Sequence, residues 1–175
     1  KAESTVYSEL GRWSKRIIKN PDAVIAITGC VASQEAERLF SKAPRVGIVL
    51  GPQTIHRLVD LYLEFRRTGT PQIDISFPEI EKFSHLPAQR SVDPSAYVSI
   101  MEGCNHYCSY CIVPYTRGGE ISRPFADIIK EVKHLCSLGV REIVLLGQNV
   151  NDYRAKTPTG HAANLALLIQ AISTI

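Results

Sequence analysis

Strands and helices alternating at short spacing predict an α/β chain. The expected architecture is the remainder of an amino-terminal open parallel-sheet domain, followed by the first βαβ unit or units of a partial (β/α) barrel. Three observations carry this. Two apolar, β-branched runs, 23–28 and 46–50, each stop at a glycine and each lead into a helical pattern, as strands buried in a parallel sheet do. An interval holding Pro71, Pro78, Pro87 and Pro94 then breaks the pattern, which divides the chain into residues 1–70, a linker 71–94 and a second region 95–175. Beyond the linker come a strand, a cysteine-rich loop, a helix and another strand, the order of a βαβ unit.

The chain opens inside a helical pattern, with Val6, Leu10, Trp13 and Ile17 on one stripe expected to face a core. No cap introduces this helix, so the start reads as a cut. Pro21 and Asp22 end it. Ala23 to Thr28 is the first strand, and Ser33 is the expected N-cap of a helix carrying Ala36, Leu39 and Phe40. Val46 to Leu50 is the second strand, with a helix from about Thr54 to Arg67 ending at Gly69. Ligands of open parallel sheets bind beyond the carboxyl ends of strands, where Cys30 and Gly51-Pro52-Gln53 fall. Within the linker, Ile73 to Phe77 hints at a short strand, and Ile80, Phe83 and Leu86 could pack on a neighbour.

In the second region Ala96 to Met101 is a strand, Phe125 to Ser137 a helix with Ile128, Ile129, Val132 and Leu135 on one face, Gly139 its stop, and Glu142 to Leu146 the next strand. These strand ends bring the cysteine loop and Gly147-Gln148-Asn149 to one rim. The last helix, from Leu165 to Ile175, simply ends, so the barrel is expected to be incomplete.

Composition excludes several classes. The chain has 175 residues, 45% hydrophobic, enough for one domain or two small ones. It has no apolar run of membrane-spanning length and no charged-then-apolar leader, so the expectation is a soluble, cytoplasmic protein with no membrane partner. Five cysteines, three of them within eight residues, make a poor disulfide framework and suggest metal binding or catalysis. A net charge of +3 permits nucleic acid without naming it, and Lys15, Arg16, Lys19, Arg66 and Arg67 read as solvated helix faces.

The chemistry concentrates in MEGCNHYCSYCIVPYTRGGEISRP, residues 101–124, where Cys104, Cys108 and Cys111 form C-x3-C-x2-C. Closed zinc sites take four protein ligands as two pairs, and a 4Fe-4S cluster is usually held by four cysteines. Three thiols on one loop therefore leave one metal position for something from outside. A zinc knuckle or an adventitious thiol loop is the plainer alternative, although the spacing suits it poorly. His106, between the cysteines, reads as a loop surface residue rather than a ligand. Cys136 lies on the apolar stripe of its helix and reads as core. Cys30 alone would be read as a small buried hydrophobe.

With Tyr110 directly before its last cysteine, this array resembles the signature of the radical S-adenosylmethionine (SAM) enzymes. Tyr107, the run from Ile112 to Gly118, and Ser122-Arg123-Pro124 resemble the methylthiotransferases among them. Gly51-Pro52-Gln53-Thr54 and the stretch from Leu145 to Asn151 are most similar to the branch acting on prenylated adenosine in tRNA, and the likeness covers nearly the whole chain.

The resemblance implies a 4Fe-4S cluster held by Cys104, Cys108 and Cys111, with SAM on the free iron. Tyr110 would lie against the adenine, the rim segment Gly147, Gln148 and Asn149 would meet the SAM amino group, and Arg117 and Arg123 would serve the SAM carboxylate or an RNA phosphate, or else brace the loop. The rim segment departs from the commoner Gly-Gly-Glu form, so an amide or a backbone carbonyl must replace a carboxylate. Gly118-Gly119-Glu120 looks like that triplet but follows the loop too closely, so its glycines are expected to form a turn. Intact relatives carry a second, auxiliary 4Fe-4S cluster, and Cys30 aligns with the last of its three cysteines, the others being expected before Lys1. The implied reaction adds a methylthio group to carbon two of prenylated adenosine beside the tRNA anticodon. The implied partners are tRNA and an electron-donor protein, with the intact protein a monomer. Sister enzymes acting on threonylcarbamoyl adenosine or a ribosomal-protein aspartate are the near alternative, and a non-enzymatic zinc or iron-sulfur module is the distant one. As a fragment, the chain alone is expected to be inactive and to expose apolar surface.

Overall fold

The computed structural model describes residues 2–18, 20, 22–77, 83 and 93–175. The chain divides into two compact units, residues 1–82 with Tyr115–Arg117, and residues 83–114 with Gly118–Ile175. Each has its own apolar core.

In the first unit, α1 (Ala2–Ile17) precedes β1 (Ile25–Thr28), α2 (Cys30–Glu35), α3 (Arg38–Lys42) and β2 (Val46–Leu50). A 3-10 turn at Ile55–Arg57 leads into α4 (Leu58–Thr68), and β3 (Gln72–Asp74) follows. The three strands form one parallel sheet in the order β1-β2-β3, as the apolar runs require. All five residues of β2 are buried, as befits a central strand covered on both faces.

Three expectations need correction here. Trp13 does not face the core. It is 48% exposed, with the Arg16 guanidinium over its ring at 5.1 Å, and Leu10 with Val6 and Tyr7 makes the contact instead. Ser33 is not an N-cap, because the helix already begins at Cys30 behind Gly29, then breaks at Ala36, whose φ is +48°. The apolar spacing of Ala36, Leu39 and Phe40 had merged two short helices into one. Finally, residues 72–74 pair with β2, so the strand hinted at beyond residue 70 belongs to the first sheet. Thr54 Oγ1 donates to the Asp74 carbonyl at 2.6 Å and Arg57 pairs with the Asp74 carboxylate, which fastens β3 in place. Residues 78–82 and 84–92 of the expected linker, including Ile80 and Leu86, lie outside the described residues, as does Pro21.

The second unit holds β4 (Ser95–Ser99), β5 (Met101–Glu102), α5 (Val113–Arg117, its last three residues in the first unit), β6 (Ile121–Ser122), α6 (Phe125–Ser137) and β7 (Glu142–Leu146). A 3-10 turn at Val150–Asp152, the hairpin β8 (Arg154–Lys156) and β9 (Ala162–Asn164), and α7 (Leu165–Ile172) complete it. β4 and β7 pair in parallel from Ser95 against Glu142 to Ser99 against Leu146, with α6 as the connecting helix. Phe125, Ile128, Val132 and Leu135 are buried from α6 against Val98, Ile100, Tyr153 and Leu168, and Cys136 packs at the edge of this cluster. The helix ends where a φ of +96° demands glycine: the Gly139 N–H donates to the Cys136 carbonyl and the Val140 N–H to that of Leu135. At the other terminus of the unit, Asn164 caps α7 through its side chain, which accepts from the Leu167 N–H at 3.0 Å. Among the described residues no helix is long and apolar enough to cross a membrane.

Candidate metal centre and its rim

The cysteine loop begins where β4 ends. Two short strands, β5 and β6, run antiparallel with Met101 opposite Ser122 and Glu102 opposite Ile121, so residues 103–120 leave and return through one closed neck. Above it, the Cys104 N–H donates to the Gly118 carbonyl at 3.3 Å, and Asn105 Oδ1 accepts from the Glu120 N–H at 3.0 Å. Gly103 must be glycine twice over. Its φ is +80°, and a Cβ there would stand 2.1 Å from the Gly119 carbonyl oxygen. Gly118, with φ +74°, closes α5 in a conformation that favours glycine.

Cys104, Cys108 and Cys111 are free thiols on this loop, the first and last half-buried and Cys108 exposed. The Cys111 N–H donates to the Cys108 carbonyl at 2.9 Å, and Tyr107 takes a φ of +47°. Among the described residues no three His, Cys, Asp or Glu side chains are already gathered as a metal site. The donor set nonetheless fits a three-thiolate cluster: three soft sulfurs lie within one loop, and the histidine among them is committed elsewhere. Tyr110 is 91% exposed, with both ring faces open.

The carboxyl end of β7 meets this loop. The Ile100 N–H donates to the Leu146 carbonyl at 2.9 Å, so the strand ends are level. Gly147 lies against Met101, where a Cβ would come within 2.4 Å of the methionine Cγ. Gln148 Oε1 accepts from the Gly103 N–H at 2.7 Å. His106 Nε2 is 2.7 Å from Asp152 Oδ2 and 2.7 Å from Asn149 Nδ2, and Asn149 Nδ2 donates to the same carboxylate oxygen. A carboxylate only accepts, so with Nε2 protonated both neighbours donate to Asp152.

The two arginines differ. Arg123 is 9% exposed; its guanidinium pairs with Glu131 and donates to the Ser99 carbonyl at 3.3 Å, while its own N–H donates to the Ile100 carbonyl. Its carbonyl accepts from the hydroxyl of Tyr153, whose phenol burial pushes up to about 12. Arg117 is half-buried near the end of α5, and its carbonyl accepts from Gln53 Nε2 at 2.6 Å within the first unit. Also in that unit, Cys30 is a half-buried free thiol at the start of α2, just past β1. Nearby, the Ser33 hydroxyl faces Gly51, and both it and Gln53 Oε1 are buried with no hydrogen-bond partner among the described residues.

Sequence reasoning missed Asp152, Glu131 and the bracing use of Asn105. Asp152 lies 46 residues from His106 and Glu131 eight from Arg123, so no local spacing announces either.

Comparison with known proteins agrees with this geometry. Residues 98–170 match the model of the Radical SAM superfamily. Over its whole length the chain is 55% identical to the tRNA-2-methylthio-N(6)-dimethylallyladenosine synthase of Pseudomonas savastanoi pv. phaseolicola. Synthases of the same name are 58% identical in Cupriavidus taiwanensis and 57% in Coxiella burnetii. The chain covers about 40% of the length of these relatives.

Proposed function

We propose that the chain, whose residues 98–170 match the Radical SAM superfamily, carries the cluster-binding part of a tRNA methylthiotransferase. The reaction is addition of a methylthio group to carbon two of prenylated adenosine next to the anticodon. One observation carries this reading: three free thiols share a closed-neck loop at the carboxyl end of a parallel strand, level with the end of its neighbour, and His106 beside them is spent on Asp152.

Cys104, Cys108 and Cys111 hold a 4Fe-4S cluster, which when bound supplies one electron to cleave a carbon–sulfur bond of SAM. The chain's own residues orient and enclose. Tyr110 offers an open ring to the adenine. The backbone of Gly147, Gln148 and Asn149 would meet the SAM amino group. Arg117 is the candidate for the SAM carboxylate or an RNA phosphate, whereas Arg123 braces the loop through Glu131 and Ser99. Cys30 serves as a ligand of a second 4Fe-4S cluster. The partners are tRNA and a separate electron-donor protein, and the enzyme works as a monomer in the cytoplasm.

The test is anaerobic reconstitution with iron and sulfide, followed by metal analysis and electron paramagnetic resonance of the reduced protein with and without SAM. About four irons at the three-cysteine loop, with a spectrum that SAM changes, is the expected result. Replacing Cys104, Cys108 or Cys111 by alanine abolishes that cluster, while Cys136→Ala leaves it intact. Bound zinc, a cluster indifferent to SAM, or equal iron in all four variants defeats the assignment.

A further inference from the structure

We infer that Gln148, Asn149 and Asp152 form a latch that shapes the cysteine loop for its cluster, so that the side chains at the rim are positioning residues for the loop rather than contacts to the cofactor. The inference rests on the reading of Cys104, Cys108 and Cys111 as cluster ligands, and deepens it.

Gln148 Oε1 accepts from the N–H of Gly103, the residue directly before Cys104, at 2.7 Å. The Asn149 amide nitrogen is turned to Asp152 and His106, and Nε2 of His106, midway in sequence between Cys104 and Cys108, is 2.7 Å from the same carboxylate oxygen. The rim therefore grips the loop at two points that bracket Cys104. On its far side the loop is held by Gly118 through Cys104, and by Glu120 through Asn105. Gly103 is caught between these two sets of bonds, its N–H on Gln148 and its Cα against the Gly119 carbonyl. Fixing the backbone on either side of a metal ligand lowers the ordering entropy that loading would otherwise exact, and a hydrogen bond behind a ligand sets its direction.

A cofactor-contacting role predicts the opposite use of these groups. A side chain meant for the SAM ammonium should turn an oxygen outward. Gln148 Oε1 turns onto the Gly103 N–H, and Asp152 Oδ2 turns onto His106 and Asn149.

The protein is reconstituted with iron and sulfide, and anaerobic loss of iron to a chelator is followed for wild type, Gln148→Leu, Gln148→Glu and Asp152→Ala. Gln148→Leu and Asp152→Ala are expected to lose iron about 10- to 100-fold faster, the range for removing a hydrogen bond that orients a ligand. Gln148→Glu keeps an acceptor for the Gly103 N–H and should stay near wild type. SAM affinity of the Asp152→Ala molecules still holding iron, read from the paramagnetic spectrum, should not change. If Gln148→Leu retains iron but binds SAM more weakly, the side chain contacts the cofactor and the latch is wrong. Unchanged iron retention in all variants also overturns it. A wild type that takes up no cluster overturns the functional reading, and the latch with it.

Discussion

Glu35 is buried on α2, and its carboxylate is answered from two sides: the Tyr7 hydroxyl donates to it at 3.0 Å and the Lys42 ammonium at 3.2 Å. The Tyr7 hydrogen bond, and after it that of Lys42, hold this carboxyl below its ordinary value. A carboxyl more acidic in the folded chain than in the unfolded one adds stability that is fully present above the ordinary carboxyl range and is lost as pH falls through the folded value. The stability gap between wild type and Glu35→Gln, from denaturant melts, should therefore shrink as pH is lowered from neutrality to about 3. A gap independent of pH would remove the charge from the account. Nothing in the sequence marked Glu35, because its partners lie 28 residues before it and seven after it. The three thiols of the loop were legible as a group, since their spacing stands in the sequence. Arg123 was legible only as an alternative: a guanidinium suits a ligand's carboxylate and Glu131 equally well, and only burial and the ion pair distinguish the uses.

At the level of elements, α6 and β7 were readable to the residue. A long apolar stripe, a glycine stop and a five-residue apolar strand leave little freedom. Ile128 is fully buried at the centre of that stripe. Ile128→Ala should cost about 2–5 kcal/mol in equilibrium unfolding of the second unit, and a loss below that range would mean the surrounding side chains close over the cavity. Short elements escaped. β5 and β6 are two residues each, too brief for any alternation to register, and α5 is a single turn or so following the last loop cysteine. The break at Ala36 escaped for another reason: alanine favours helices, and its positive φ is imposed by the fold around it.

For the chain as a whole, a net charge of only +3 gives little electrostatic repulsion between molecules. Meanwhile α4 and the turn before it present Ile55, Val59, Tyr62 and Leu63 along one side, with Val59 65% and Leu63 60% exposed. Such a stripe favours self-association. Replacing Val59 by lysine and Leu63 by glutamate should lower light scattering at high concentration while shifting stability by no more than about 0.5 kcal/mol per site; equal scattering would place the sticky surface elsewhere. One arrangement in the second unit bears on how such a chain can change over generations. Because the neck between β5 and β6 brings residue 103 and residue 120 back to adjoining points, the stretch between them behaves as a cassette. Changes at its exposed positions, such as Tyr110, leave the alignment of β4 on β7 untouched, whereas Gly103 and His106 are tied to the rim and are not free to vary. Variation on the outer side of the loop is thereby separated from the strand pairing beneath it.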